Sequence, residues 1–203
     1  MSGNIEVVLF DLGGVLIELQ GQPVKNEWLR HPEDHERNWA RWLRSPAAQA
    51  FERGESGPDA FAEAVIAEMD LTVDADTFIE HFTWWPKGLF PGTLALLEQL
   101  RQIDLTVALF SNINQLHWPR VMDEMRLDGK FDHYFASHLI GKAKPCADAF
   151  RYVAGQMQVA PGSVLFLDDN QVNVDGALAA GMQAFVVKGI EQTCALLSEK
   201  VAL

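Results

Sequence analysis

Val7-Val8-Leu9-Phe10 runs without a polar interruption into one acid, Asp11, and then, past Leu12, into the pair Gly13-Gly14. A short apolar run rich in β-branched residues and stopped by glycine reads as a buried strand. Asp11 then stands at the carboxyl end of that strand, where open α/β sheets place their ligands. The ordinary alternative is an acid that caps the turn after the strand, and the rest of the chain has to choose between them.

From about Gln22 to Trp85 the sequence offers helices and no strand. Pro32-Glu33-Asp34 opens a helix with Trp39, Trp42 and Leu43 at helical spacing, and Pro46 to Arg53 reads as a second, stopped by Gly54. Ser56-Gly57-Pro58-Asp59 opens a third with Phe61, Val65 and Met69 on one face, and Asp74 to Phe82 a fourth. Five of the six tryptophans lie between Glu27 and Trp85, so this stretch is expected to have a small core of its own. From Pro91 the rhythm changes. Helix 92–102 leads to a strand from Leu105 to Phe110 that ends at Ser111-Asn112, then to a helix around 117–127 and a short segment at Tyr134-Phe135-Ala136. Helix 147–157, a strand from Ser163 to Leu167 ending at Asp168-Asp169, helix 171–180, a strand from Gln183 to Val187 and helix 191–201 complete the chain. Such alternation predicts an α/β fold with a parallel, doubly wound sheet. Residues 1–16 and 91–203 are expected to form a three-layer Rossmann-like core, and 17–90 an inserted all-helical cap.

A chain of 203 residues can bury one such core with a smaller inserted unit. Its formal net charge of −12 argues against nucleic acid or an anionic membrane as partner, since both attract clustered Lys and Arg. No apolar run has the length of a bilayer span, and Met1-Ser2-Gly3-Asn4 lacks the basic start of a secretory signal. Cys146 and Cys194 stand far apart without metal-ligand spacing, which makes a reducing cytoplasm the expected compartment. The negative balance also sets a requirement: an anionic ligand has to be met by a local lysine or a metal.

In a parallel sheet all strand carboxyl ends lie along one edge. That rule gathers Asp11, Ser111-Asn112 and Asp168-Asp169 onto a single rim, with Lys144 on the nearby loop Gly141-Lys142-Ala143-Lys144-Pro145. Carboxylates converging there repel one another unless a cation lies between them, and oxygen-only ligands suit Mg²⁺ better than Zn²⁺. Lys144 adds a second positive point, suited to an anionic group bound beside the metal. Taken singly, Ser111-Asn112 reads as a turn, Lys144 as a surface lysine and Asp168-Asp169 as acids at a helix start. Their arrival at successive strand ends is what makes a site.

In order and over nearly the whole chain, these segments resemble the motifs of the haloacid dehalogenase-like (HAD) hydrolase superfamily. Phe10-Asp11-Leu12-Gly13-Gly14-Val15 is similar to the first motif, whose leading Asp is the nucleophile. Leu109-Phe110-Ser111-Asn112 is similar to the second, whose Ser hydroxyl and following amide hold phosphoryl oxygens, and Lys144-Pro145 to the third. Phe166-Leu167-Asp168-Asp169-Asn170, with Asn173 beyond, is similar to the fourth, which binds Mg²⁺. The insertion resembles the helical cap of the subclass containing small sugar-phosphate phosphatases. Phe51-Glu52-Arg53-Gly54-Glu55 and Ser111-Asn112-Ile113-Asn114-Gln115-Leu116-His117 carry a nearer likeness to bacterial glucose-1-phosphate phosphatases. The resemblance implies a Mg²⁺-dependent phosphatase of a small phosphorylated metabolite such as a hexose 1-phosphate. Asp11 would attack phosphorus and form an aspartyl phosphate that water hydrolyses. It implies Asp11, the Gly13 carbonyl, Asp169 and Asp168 (direct or through water) as metal ligands. Ser111, the Asn112 amide and Lys144 would bind the phosphoryl oxygens.

Gly13 departs from the family pattern. Most phosphatases of the superfamily carry a second Asp there as general acid and base, and positioned proton transfer is worth about 10²–10⁴-fold. Three readings stand open. The substrate has a good leaving group, such as an anomeric oxygen; or another acid substitutes, for which Glu18 is the nearest in sequence and a solvated flap residue its plain alternative; or the chain is a weakly active relative that binds a ligand or partner. The metal-independent 2-haloacid dehalogenases of the superfamily also lack that Asp. They commonly carry an aromatic residue there, however, and no acidic pair at the fourth motif. Trp84, Trp85 and Lys87 are placed to line the mouth of the site, although tryptophans of a small helical unit more often form its core. Core packing is the role assigned to Trp28, Trp39 and Trp42, and no histidine shows ligand spacing.

Overall fold

The computed structural model describes residues 4–201, so the reading of the Met1-Ser2-Gly3 start lies outside the described residues. Its strands are β1 (Val7–Phe10), β2 (Ile17–Leu19), β3 (Pro86–Leu89), β4 (Thr106–Ser111), β5 (His133–Ala136), β6 (Val164–Asp168) and β7 (Gln183–Val186). Five of them form one sheet in the order β5-β4-β1-β6-β7, and every pairing in it is parallel. β1 is the central strand: Val7 pairs with Thr106 and Val164, and Phe10 with Leu109 and Leu167.

The helices are α1 (His35–Arg44), α2 (Pro46–Glu52), α3 (Pro58–Met69), α4 (Ala75–Thr83), α5 (Thr93–Leu100), α6 (Ser137–Ile140), α7 (Ala147–Gln156), α8 (Gln171–Ala179) and α9 (Gly189–Lys200). Successive side chains of β1 point to opposite faces. Val8 and Phe10 pack with Leu96, Leu97 and Leu100 of α5 and Leu197 of α9. Val7 and Leu9 pack with Phe150 and Val153 of α7 and Val174 and Ala177 of α8. Both faces are dry, which is why the strand reads as an unbroken apolar run rather than an alternation. The expected doubly wound α/β core with a helical insert is the observed fold.

Helices α1 to α4 form that insert around Trp42, Phe51, Phe61, Phe78 and Phe82, with the Phe51 and Phe61 rings stacked at 4.1 Å. Asp34, Ser45 and Asp74 cap their helices by accepting the backbone N–H of Arg37, Ala48 and Thr77, each cap contributing about 1 kcal/mol. Two features differ from expectation. β2 and β3 pair antiparallel where the chain leaves and re-enters the core; they are too short, and β3 too interrupted by Pro86 and Gly88, to show a strand period. The 117–127 stretch centres on a π-helical segment, Arg120–Glu124, in which the Met125 N–H donates to the Arg120 carbonyl. Arg120 ties it to the core–insert junction, donating to the Thr83 and Pro86 carbonyls at 2.9 and 3.0 Å and lying 4.0 Å from the Trp84 ring centre. Among the described residues no helix is long and apolar enough to cross a membrane.

Candidate active site

β1, β4 and β6 lie side by side and end together. Asp11 follows the last residue of β1, Ser111 closes β4, and Asp168 closes β6 with Asp169 directly after it. Lys144 comes from the loop between α6 and α7. The Asn112 side chain pins that loop at two points, Nδ2 donating to the Lys144 carbonyl at 3.0 Å and Oδ1 accepting the Lys144 N–H at 2.9 Å. From the sequence only the backbone amide of Asn112 has an expected use, and the clamp is made by its side chain.

The Lys144 ammonium donates to Asp11 Oδ1 at 2.7 Å and to Asp168 Oδ2 at 2.6 Å, and all three residues are buried. Burial works against the lysine's charge, but the two carboxylates outweigh it and hold its pKa above the usual value. For Asp11 burial dominates and pushes the carboxyl up, against the pull of Lys144. Asp168 also accepts the Asn170 N–H at 2.8 Å and Asn173 Nδ2 at 3.0 and 3.1 Å, so both its oxygens are engaged. Asp169 has no cationic partner among the described residues, and burial, with Asp11 and Asp168 beside it, pushes its carboxyl up to about 7.

Oxygens of Asp11, Asp168 and Asp169 all lie within 4.8 Å of one another. One ammonium among three carboxylates leaves negative charge uncompensated, and the donors are all oxygen, so the cluster fits a hard divalent cation such as Mg²⁺. Gly14 makes room for the third acid: its φ is +71°, and a Cβ there would run into the Asp169 carboxylate. At Gly13 the backbone is not left-handed and a Cβ would meet only the flexible Leu19 side chain, which would have to give by a few tenths of an ångström from 3.3 Å. Mg²⁺ added to the metal-stripped protein is expected to stabilise it by about 2.7 kcal/mol at a hundredfold excess over Kd, or roughly 5–10 °C in Tm. Differential scanning calorimetry reads this directly, and Asp169→Asn should lose most of the shift.

Asp11, Ser111, Asn112, Lys144 and Asp169 open onto one cavity of about 1300 Å³ whose far wall comes from the insert, through Trp39, Trp42 and Glu52, and from the junction, through Trp85. Trp39 and Trp42 therefore serve both the packing they were assigned and the cavity wall. Trp84 lies against Arg120 instead, and Lys87 holds Glu18 at 2.8 Å; Trp84, Lys87 and Glu18 do not line the cavity. Glu52 was not singled out by the sequence reading beyond its place in the 51–55 segment. His117, which shows no ligand spacing in the sequence, has both ring nitrogens engaged. The Asn114 amide nitrogen donates to its Nδ1 at 3.1 Å, so Nε2 carries the proton given to the Phe82 carbonyl at 2.6 Å. Burial lowers its pKa to about 4, leaving a neutral strut between core and insert. The segments 51–55 and 111–117 meet at this seam. Ser137 Oγ accepts the Ile113 N–H at 2.9 Å and donates to the Glu52 carbonyl at 2.5 Å, while Gln115 Nε2 donates to the Ser56 carbonyl at 3.1 Å.

Fold and site together define a doubly wound hydrolase with an acid cluster at its strand ends and a helical insert over them. The sequence pattern of the haloacid dehalogenase-like hydrolases matches residues 5–181, and the chain belongs to that family. It is similar to a phosphatase of Mycobacterium tuberculosis, at 29% identity over 94% of this chain and 90% of that one. It is also similar to the phosphoglycolate phosphatase of Pseudomonas putida (25%, 87% and 67%) and to a sesquiterpene phosphatase of Aspergillus oryzae (24%, 99% and 99%). A HAD family enzyme of Bacteroides thetaiotaomicron, crystallised with magnesium and inorganic phosphate, shares the fold at a TM-score of 0.72 and 23% identity over 91% of this chain and 95% of that one. L-2-haloacid dehalogenase of Xanthobacter autotrophicus shares it at 0.66 and 21%, over 90% and 77%. The chain is thus an enzyme of the HAD type, with phosphatases among its full-length relatives.

Proposed function

We propose that the chain is a Mg²⁺-dependent phosphatase that hydrolyses a small phosphorylated metabolite through an aspartyl phosphate on Asp11. The observation that carries this reading is the Lys144 ammonium between Asp11 and Asp168, at 2.7 and 2.6 Å, with Asp169 uncompensated beside them. Lys144 fixes one Asp11 oxygen, and the other attacks phosphorus. The Ser111 hydroxyl, the Asn112 amide and Lys144 hold the phosphoryl oxygens as charge moves onto them. Asp11, the Gly13 carbonyl and Asp169 would hold the metal, and Asp168, whose oxygens already accept from Lys144, Asn170 and Asn173, would take part directly or through water. When bound, Mg²⁺ offsets the repulsion between the carboxylate nucleophile and the anionic substrate.

For the substrate we favour a sugar phosphate, a hexose 1-phosphate above all. Its anomeric oxygen leaves more readily than an ordinary alkoxide, and Trp39, Trp42 and Trp85 offer flat faces in the cavity wall. The cytoplasm is the compartment proposed for this reaction, and the free cysteines Cys146 and Cys194 suit its reducing conditions. Phosphate release from a panel of phosphometabolites tests the reading. Hexose 1-phosphates are expected to lead the panel, and a chelator to abolish turnover. No release from any member would refute it, and metal-independent halide release from a 2-haloacid would put a dehalogenase in its place.

A further inference from the structure

Gly13 offers no side chain, and Glu18, the nearest acid in sequence, is turned onto Lys87. Besides Asp11 and Asp169, the carboxylates lining the cavity are Glu52 and Asp148. Asp148 has a side chain 81% exposed and is paired with Arg151 at 2.7 Å. Glu52 is placed differently. It is the last residue of α2, and its carbonyl is gripped by Ser137 Oγ of the core at 2.5 Å. Two residues on, Gly54 turns at φ +73° against the His138 carbonyl, an approach that any Cβ would block. The end of α2 is therefore anchored on the core, not only on the insert that carries it. The Glu52 carboxyl makes no hydrogen bond or ion pair among the described residues, because the adjacent Arg53 is taken by both oxygens of Glu55, at 2.7 and 2.8 Å. Lys144 and Asp11 act on its charge from across the cavity.

We propose that Glu52 is the proton donor and acceptor that Gly13 does not supply. In the first half-reaction an Asp11 oxygen bonds to phosphorus and the bond from phosphorus to the leaving oxygen breaks. That oxygen takes the Glu52 proton and departs as the alcohol. In the second, a water oxygen bonds to phosphorus as the bond to Asp11 breaks. One proton of that water passes to the Glu52 carboxylate, inorganic phosphate is released, and both side chains return to their starting states. Burial pushes the Glu52 carboxyl up to about 7, with Lys144 opposing and Asp11 adding to the shift. Near neutral pH it is divided between the form that gives a proton and the form that takes one, as an acid–base catalyst should be.

Glu52 has this role only if the chain is the phosphatase proposed above, and a leaving-group series separates the two questions. Aryl phosphates running from dinitrophenyl to methoxyphenyl phosphate are assayed with Mg²⁺ on the full chain. Wild-type kcat/KM is expected to depend weakly on the basicity of the departing phenol. Glu52→Gln should lose about 10²–10⁴-fold at the methoxyphenyl end and less than about tenfold at the dinitrophenyl end, where the phenolate leaves unaided. Glu52→Met, equally unable to carry a proton, should steepen the dependence in the same way. A uniform loss across the series, or none, would overturn the role of Glu52 and leave the phosphatase standing. Absence of any Asp11-dependent turnover of the series by the wild-type protein would overturn the phosphatase itself.

Discussion

Asp11→Asn is expected to lower kcat on the order of 10⁶-fold while leaving the protein folded. An amide oxygen has the shape of the carboxylate it replaces and can still accept the bond from Lys144 Nζ, but it does not form a phosphoryl ester. The backbone is also untouched, since the Asp11 N–H continues to donate to the Leu167 carbonyl at 2.9 Å. Folding stability should therefore change by no more than about 1 kcal/mol, within the range of a conservative polar replacement. Steady-state assay with nitrophenyl phosphate and an acid-quench search for a phosphorylated protein check the two halves of the expectation. The wild-type protein should trap label on Asp11 and the variant should not. A variant retaining a hundredth or more of the wild-type rate would move the chemistry to another group.

The second large effect is on stability. Lys144→Met removes the cation that serves both Asp11 and Asp168 and leaves the cluster Asp11, Asp168 and Asp169 without any ammonium at bonding distance. Breaking a buried pair from one side costs about 3–5 kcal/mol, and the Lys144 side chain is 1% exposed, so solvent screening provides little relief. The sign of the pH dependence follows. Without Lys144, burial raises the folded-state pKa of Asp11 further above its unfolded value, so the folded protein binds more protons than the unfolded one. Its stability is then retained at low pH and lost as pH rises through the carboxylate range. The gap between wild type and variant in urea denaturation should be wider at pH 8 than at pH 5, and Mg²⁺ should narrow it. A gap below about 1 kcal/mol, or one independent of pH, would mean that the carboxylates are neutralised by something other than Lys144.

The positions that were legible in the sequence are those where a strand stops. Asp11, Ser111 and Asp168 follow or close apolar runs, and because parallel strands share one edge, reading the ends of the runs is equivalent to reading the rim of the site. Lys144 needed the family likeness as well, since a loop lysine carries no local sign that it will be buried. Glu52 ends no strand, and the likeness of the 51–55 segment assigns it no role. Within α2 it occupies the last position of an ordinary helix, and only the grip of Ser137 on its carbonyl and the tight turn at Gly54 bring it to the cavity. β2 and β3 escaped for another reason: their pairing spans the whole insert, and with Ile17, Leu19 and Leu89 turned to the core and Glu18 and Lys87 paired outside, each is too short to establish a period. The π-helical segment depends on where Arg120 finds its carbonyls, a contact made at a distance that spacing does not encode.

The central place of β1 has a cost during biosynthesis. Val7 leaves the ribosome well ahead of its partners, Thr106 and Val164. The strand that presents the nucleophile therefore emerges about a hundred residues before the first neighbour able to pair with it, and non-local pairings of this kind are slow to close. The helices of the insert, by contrast, are contiguous and pack on one another, so they can condense while β1 is still waiting. Until β4 and β6 arrive, Val7 to Phe10 is an apolar segment with both edges open, the kind of surface that chaperones retain and that aggregates when crowded.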